Sequence, residues 1–218
     1  MGKVIIQSDT TKNPIQLIGK EAGICWGAKT TDKEKNYKRG LDCIKANHGR
    51  TLEFPQVYAT ISGYSAKTIR ELYTHIAGGP TRLQASTRYI GYDNFKVVRI
   101  PLIDANQKTE KIYNDTIEYI RNSLKQLKEN GVPNEDATMI LPLCMETKMV
   151  LRTNLRQLID MSHQRECNRA YWEFRELFSD LKTALSNYDE EWKFIVDNYF
   201  MPKCKYLGFC PENNSCRK

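Results

Sequence analysis

The chain has 218 residues, 40% hydrophobic and 27% charged, with a net charge of +7. That length can bury one domain's core, the composition is that of an ordinary globular chain, and no apolar run approaches the ~20 residues of a membrane span. The opening MGKVIIQSDT is too short in apolar residues for a signal-peptide core and lacks the hydroxyl of a myristoylation site, so a cytoplasmic protein is expected.

KVIIQ reads as a first strand, and NPIQLIGKEAGICWG as a helix opened by Asn13-Pro14. A short helix is expected over YKRGLDCIKAN. In LEFPQVYATISG, Val57, Ala59 and Ile61 keep a two-residue period, which predicts a strand with its proline at the start or on an edge. Ser65 then caps a helix over AKTIRELYTHIA, with Ile69, Leu72, Tyr73 and Ile76 on one face. Gly78-Gly79-Pro80 stops it.

The clearest helix is YNDTIEYIRNSLKQLKENG, where Tyr113, Ile117, Ile120, Leu124 and Leu127 step by four and three and Gly131 and Pro133 mark the end. ATMILPLCMETKMVLRT reads as extended, Asn154 opens a helix over LRQLIDMSHQR, and RAYWEFRELFSDLKTAL is amphipathic. Long helices around a modest mixed or antiparallel sheet give an α+β domain over residues 1–200, followed by a cysteine-containing tail, 201–218.

Chemistry concentrates in two places. After the glycine break come Thr81, Arg82, Gln84, Ser86, Thr87 and Arg88, whose guanidinium and hydroxyl groups suit a phosphate cradle or, more plainly, a solvated loop. No Walker lysine follows the glycines, and GxGxxG, GxSxG, HExxH and CxxC are all absent from the sequence. The second place is NLRQLIDMSHQR. Arg156 and Asp160 are four apart and can pair, whereas Arg165 lies nine after Arg156, off that face. His163 reads as a lone surface histidine. The scattered positive charge suits phosphate-bearing small molecules better than nucleic acid, and no membrane partner is expected.

Seven cysteines without an export signal argue against a disulfide framework. Cys204, Cys210 and Cys216 recur every six residues, and a metal would need a fourth ligand such as Cys167 or Cys144. Reduced thiols and no metal are the expectation.

Taken together, QASTRY and LPL…TNLRQLIDMSHQRECNRAYWEFR, preceded by NHGRTLEFPQVYATISGYSAKTIRELYTH, resemble the ordered motif blocks of the flavin-dependent thymidylate synthases, from about residue 47 to 178. The resemblance implies a homotetramer that binds FAD and methylates deoxyuridylate (dUMP) at C5, with NADPH and methylenetetrahydrofolate as cosubstrates. It implies that reduced flavin supplies hydride and that no cysteine nucleophile is needed.

Carried across, Ser86 and Arg88 hold the substrate phosphate with the Thr87 N–H, Gln84 stands at the second position of the family's Asn-Glu pair, and Arg165 meets the uracil as the catalytic residue. His75, Asn154, Arg156 and Asp160 fall on the flavin side. The family's Arg-His-Arg triplet reads Thr74-His75-Ile76 here, and the following segment is two residues longer. Arg82 is expected to supply the displaced charge to the flavin. Trp172-Glu173 and Leu141-Pro142 are expected to set the fold. A relative that modifies another uridine nucleotide, or adds hydroxymethyl, and a non-catalytic basic nucleic-acid-binding module remain the alternatives.

Overall fold

The computed structural model describes residues 2–213, 215 and 216. Strand β1 (Lys3–Ile6) leads to helices α1 (Pro14–Cys25) and α2 (Lys33–Lys45), then β2 (Gln56–Ser65), α3 (Ala66–Leu72) and β3 (Thr81–Gln84). The helices α4 (Pro101–Asp104), α5 (Gln107–Glu129) and α6 (Asn134–Ala137) follow, then β4 (Glu146–Asn154), α7 (Leu155–Arg165), α8 (Trp172–Tyr188), α9 (Glu190–Tyr199) and α10 (Lys203–Leu207).

The four strands form one antiparallel sheet in the order β1-β2-β4-β3. β2 starts directly after Pro55, as the proline suggests, but it is a central strand, paired with β1 on one side and β4 on the other. The proline's missing N–H therefore falls just outside the ladder. A register shift between Ser62 and Tyr64 bulges β2 at Gly63, whose φ is 74°.

One sheet face is covered because the apolar stripes of α1, α7, α8 and α9 have nowhere else to go. Val57, Ala59 and Ile61 of β2 meet Phe174, Leu177, Phe178, Leu181 and Leu185 of α8 in one core, closed by Trp192 and Ile195. Each such side chain contributes about 1.5–3 kcal/mol on burial. The N-cap of α1, Asn13, is left-handed and makes no side-chain cap bond. The buried Glu191 of α9 accepts the N–H groups of Ile15 (2.7 Å) and Gln16 (3.1 Å) instead. A smaller core joins Ile117 and Leu124 of α5 to Tyr92, Phe95, Ala137 and Met145.

The staple that matters for the site is Glu173, buried at the start of α8. Its carboxylate accepts the Ser65 N–H (2.6 Å), the Ser65 hydroxyl (2.5 Å) and the Thr68 hydroxyl (2.7 Å). Ser65 also caps α3 by accepting from the Thr68 N–H. The direction of α3, and of the loop after it, is thereby locked to α8.

Candidate active site

Helix α3 ends at Leu72 rather than running to Ala77 as the sequence suggests. The Thr74 hydroxyl donates to the Glu71 carbonyl at 2.7 Å, competing for a helical acceptor. The chain then turns through Gly78 and Gly79, with φ of 77° and 62°. Gly78 is required twice over: its φ is left-handed, and a Cβ there would lie 2.8 Å from Asn154 Nδ2. Asn154 is buried with both side-chain ends engaged. Its Nδ2 donates to the Gly78 carbonyl (3.1 Å), and its Oδ1 accepts the Gln157 N–H (3.0 Å) to cap α7.

The residues after the break are not all loop. Thr81–Gln84 is the edge strand β3, paired with Arg152–Met149 of β4, so this part of the run is not the solvated loop that the composition also allows. Arg82 turns back onto its own loop. It donates to the Tyr73 carbonyl (3.2 Å) and the His75 carbonyl, and stacks on the Tyr73 ring at 4.9 Å. Its Nε is buried without a hydrogen-bond partner among the described residues. Burial pulls its guanidinium below the ordinary pKa.

Arg165, at the last turn of α7, is the best-held cation near the break. Its Nε donates to His75 Nε2 at 2.9 Å, its Nη1 pairs with Glu71 at 2.9 Å, and its guanidinium lies 4.2 Å over the Phe174 ring. The side chain is 15% exposed. Three of its N–H groups face Glu71, His75 and Thr74, so two remain for a ligand. The His75 carbonyl accepts from Gln157 Nε2 (2.7 Å), which ties the loop to α7. Burial first, then the charges of Arg165 and Arg82, push the His75 pKa down to about 4. His75 is a neutral acceptor at pH 7.

A cavity of about 440 Å³ opens beside this network, lined by Thr74, His75, Gln157, Asp160, His163 and Lys203 among others. Asp160 faces it and does not pair with Arg156. Arg156 instead reaches Glu53 at 2.7 Å, because Glu53 sits on the turn before β2 that packs on α7. His163 is half-buried rather than a free surface group, stacked on Tyr206 at 4.6 Å.

Ser86, Thr87 and Arg88 are built separately. The Ser86 hydroxyl accepts the Arg88 N–H (3.1 Å), and the Thr87 carbonyl accepts from Asn134 Nδ2 (2.8 Å). Arg88 pairs with Glu135 of α6 at 2.7 Å and is largely exposed. Gln84, at the end of β3, donates to the Thr147 hydroxyl at 3.3 Å. The cavity at His75 is lined by none of Gln84, Ser86, Thr87 and Arg88. Two candidate half-sites therefore stand apart: a neutral histidine with a rigid arginine, and a hydroxyl-arginine turn.

Sequence reasoning missed Glu71, Thr74, Gln157 and Phe174 as partners of the first half-site. The Glu71–Arg165 and Gln157–His75 contacts span 94 and 82 residues, and no spacing in the sequence encodes them.

Residues 7–188 match the family model described as thymidylate synthase complementing protein. The flavin-dependent thymidylate synthase of Pyrococcus furiosus is 29% identical over 94% of this chain and 87% of its own length. That of Thermococcus kodakarensis is 31% identical over 93% and 86%. Among solved structures, Helicobacter pylori thymidylate synthase X with FAD and dUMP superposes with a TM-score of 0.70 at 20% identity, covering 92% of this chain and 99% of that one. The UMP/dUMP methylase PolB of Streptomyces cacaoi gives 0.73 at 16% identity, covering 92% and 96%. With its motif blocks, its α+β fold and a family match over most of its length, the chain belongs to the flavin-dependent thymidylate synthases.

Proposed function

We propose that the enzyme methylates dUMP at C5 to give dTMP, using FAD, NADPH as reductant and methylenetetrahydrofolate as the one-carbon donor. The observation that carries this is Arg165, a guanidinium locked by Glu71, His75 and Phe174 with N–H groups to spare, bonded to the His75 that lines the 440 Å³ cavity. A rigid donor of that kind stabilises the negative charge that builds on the uracil when C5 becomes nucleophilic. Neutral His75 fixes the Arg165 Nε without adding a competing charge. Ser86, the Thr87 N–H and Arg88 hold the substrate phosphate, with Gln84 beside them.

The residues fit a flavin in one specific respect: the buried Arg82 Nε is a donor lacking an acceptor, which an anionic cofactor supplies. Asn154 and Arg152 hold the Gly78 and Gly79 carbonyls in place, while Asp160 and His75 line the cavity and Arg156 lies on the exposed side of α7. When bound, FAD supplies the hydride, so no thiol has to add to the pyrimidine ring.

The working form is a homotetramer. Leu102, Ile112 and Tyr119 on and beside α5, with Met139, are large apolar side chains left exposed in one chain, and other copies cover them. The half-site at Ser86–Arg88 of one copy meets the half-site at Arg165 of another. No helix among the described residues is long and apolar enough to cross a membrane; phosphorylated substrates support the reading of a cytoplasmic enzyme.

The test is direct. Purified protein is incubated with FAD, NADPH, methylenetetrahydrofolate and dUMP, and the nucleotide is weighed. A gain of one methylene unit is expected; a hydroxymethyl gain, or none with FAD bound, overturns the reading. UMP is run in parallel, because the Streptomyces cacaoi enzyme of the same fold is described as a UMP/dUMP methylase.

A further inference from the structure

A second cavity, of about 530 Å³, lies where the end of α7 meets the tail. His163, Gln164 and Lys203 line it and the His75 cavity alike, so the two adjoin along α7. Arg165 itself lines this second cavity and not the first. The wall that runs from Lys203 to Cys216 lies beyond residues 7–188 of the family match. This chain therefore adds a wall of its own beside the arginine on which the proposed reaction rests.

Three long cationic side chains converge here from three places: Arg165 from α7, Arg169 from the turn before α8, and Lys203 from α10. The last carbonyls of α7 offset part of that charge. Glu71 balances Arg165, and Glu212 of the tail lies 3.3 Å from Arg169, which leaves the charge of Lys203 over. The side chains of Arg169 and Glu212 are 47% and 53% exposed. An ion pair so exposed is weak and exchanges readily. The tail thus lays a carboxylate of its own on a cation of the cavity, where a ligand's carboxylate can replace it. A cleft lined by one sign of charge concentrates ligands of the other. Phosphate sites draw on backbone N–H groups at a helix N-terminus. Here α7 presents its C-terminal end, and the donors are side chains. A carboxylate, with a single charge and a planar pair of oxygens, suits guanidinium donors of that kind.

We propose that this cavity takes the glutamate end of the folate cosubstrate, with Arg169 exchanging Glu212 for a ligand carboxylate and Lys203 taking a second. The inference rests on the reaction given above, in which methylenetetrahydrofolate is the one-carbon donor. Folates end in a glutamate with two carboxylates, and each further γ-linked glutamate adds one. Because Glu212 competes for Arg169, the tail selects by charge: a ligand with several carboxylates displaces it more readily than one with few.

The experiment titrates p-aminobenzoyl-glutamate and its tri-γ-glutamate form into the full chain with FAD present, and reads heat rather than turnover. The triglutamate is expected to bind about 5-fold tighter or more. Arg169→Ala and Lys203→Ala each weaken it by about 2- to 5-fold, the range of a partly exposed ion pair. Glu212→Gln tightens both probes by a similar factor, whereas a Glu212 that merely held the tail in place would weaken them when removed. Lys193→Ala, on α9 beside Asp197, leaves binding unchanged. Equal affinity for the two probes, no tightening in Glu212→Gln, or an equal loss in Lys193→Ala overturns the proposal. So does inorganic pyrophosphate that displaces the triglutamate at equal concentration, since the cavity then belongs to a phosphate-bearing ligand. If the binding pattern holds and dUMP is not methylated, the reaction fails and the carboxylate site stands; methylation without the pattern is the reverse.

Discussion

His75 offers its Nε2 lone pair to Arg165, so it works only while neutral. Its pKa of about 4 lies below the ordinary 6.5. Between those values the unfolded chain binds a proton that the folded chain refuses. Stability from this group is complete above pH 6.5 and is lost as pH falls toward 4. At about 1.36 kcal/mol per pKa unit the full shift would be about 3.4 kcal/mol, and solvent screening at this partly exposed ring reduces it to about 1–3 kcal/mol. Urea unfolding of His75→Asn is expected to lose that acid dependence, and an unchanged slope would show that His75 is not the titrating group. Arg165→Lys keeps the charge but cannot hold His75, Glu71 and the Phe174 face together. It is expected to lower turnover by ~10-fold or more while FAD affinity, read by flavin fluorescence, changes little. Equal turnover would remove Arg165 from the chemistry.

At the scale of elements, α3 is aimed by a carboxylate rather than by its own seven residues. Glu173→Ala leaves the Ser65 N–H and two hydroxyls without their acceptor in a buried place. A loss of about 2–4 kcal/mol is expected, seen as a lower urea midpoint with the same slope. A loss under about 0.5 kcal/mol, the range of ordinary surface changes, would mean water replaces the carboxylate. The same elements show what a sequence can reveal. Helices α1, α5, α7 and α8 are legible because each buries a stripe, and the caps Ser65 and Asn154 hold as read. Strand β3 is not legible. Leu83 is 72% exposed, so no apolar alternation marks it, and only backbone pairing to β4 defines it. Helix α9 carried a signal that went unread: Asp189, then Trp192, Ile195, Val196 and Tyr199 at helical spacing. In the site, Arg165 and His75 were visible through family motifs. The Glu71 and Gln157 that hold them were not, since only the folded chain brings α3 and α7 together.

For the whole molecule, the charge of +7 fits the phosphate- and carboxylate-bearing ligands of the proposed reaction, yet within one chain the two candidate half-sites lean on different supports. Arg88 is held by α6 through Glu135 and Arg165 by α3 through Glu71. If the tetramer joins the Arg88 side of one copy to the Arg165 side of another, two inactive variants can repair each other. Arg88→Ala chains keep a sound Arg165, and Arg165→Ala chains keep a sound Arg88. Random assembly from equal amounts would pair the two sound halves at about a quarter of the interfaces. Each variant alone is expected to show little turnover, and co-expressed chains to recover up to about that fraction of the parent's activity. Tyr119→Asp, on the exposed face of α5, should shift the sedimentation profile toward smaller species and abolish the recovery. If the mixture never exceeds the sum of the two variants while sedimentation still shows mixed tetramers, both half-sites belong to one chain and must close onto each other within it.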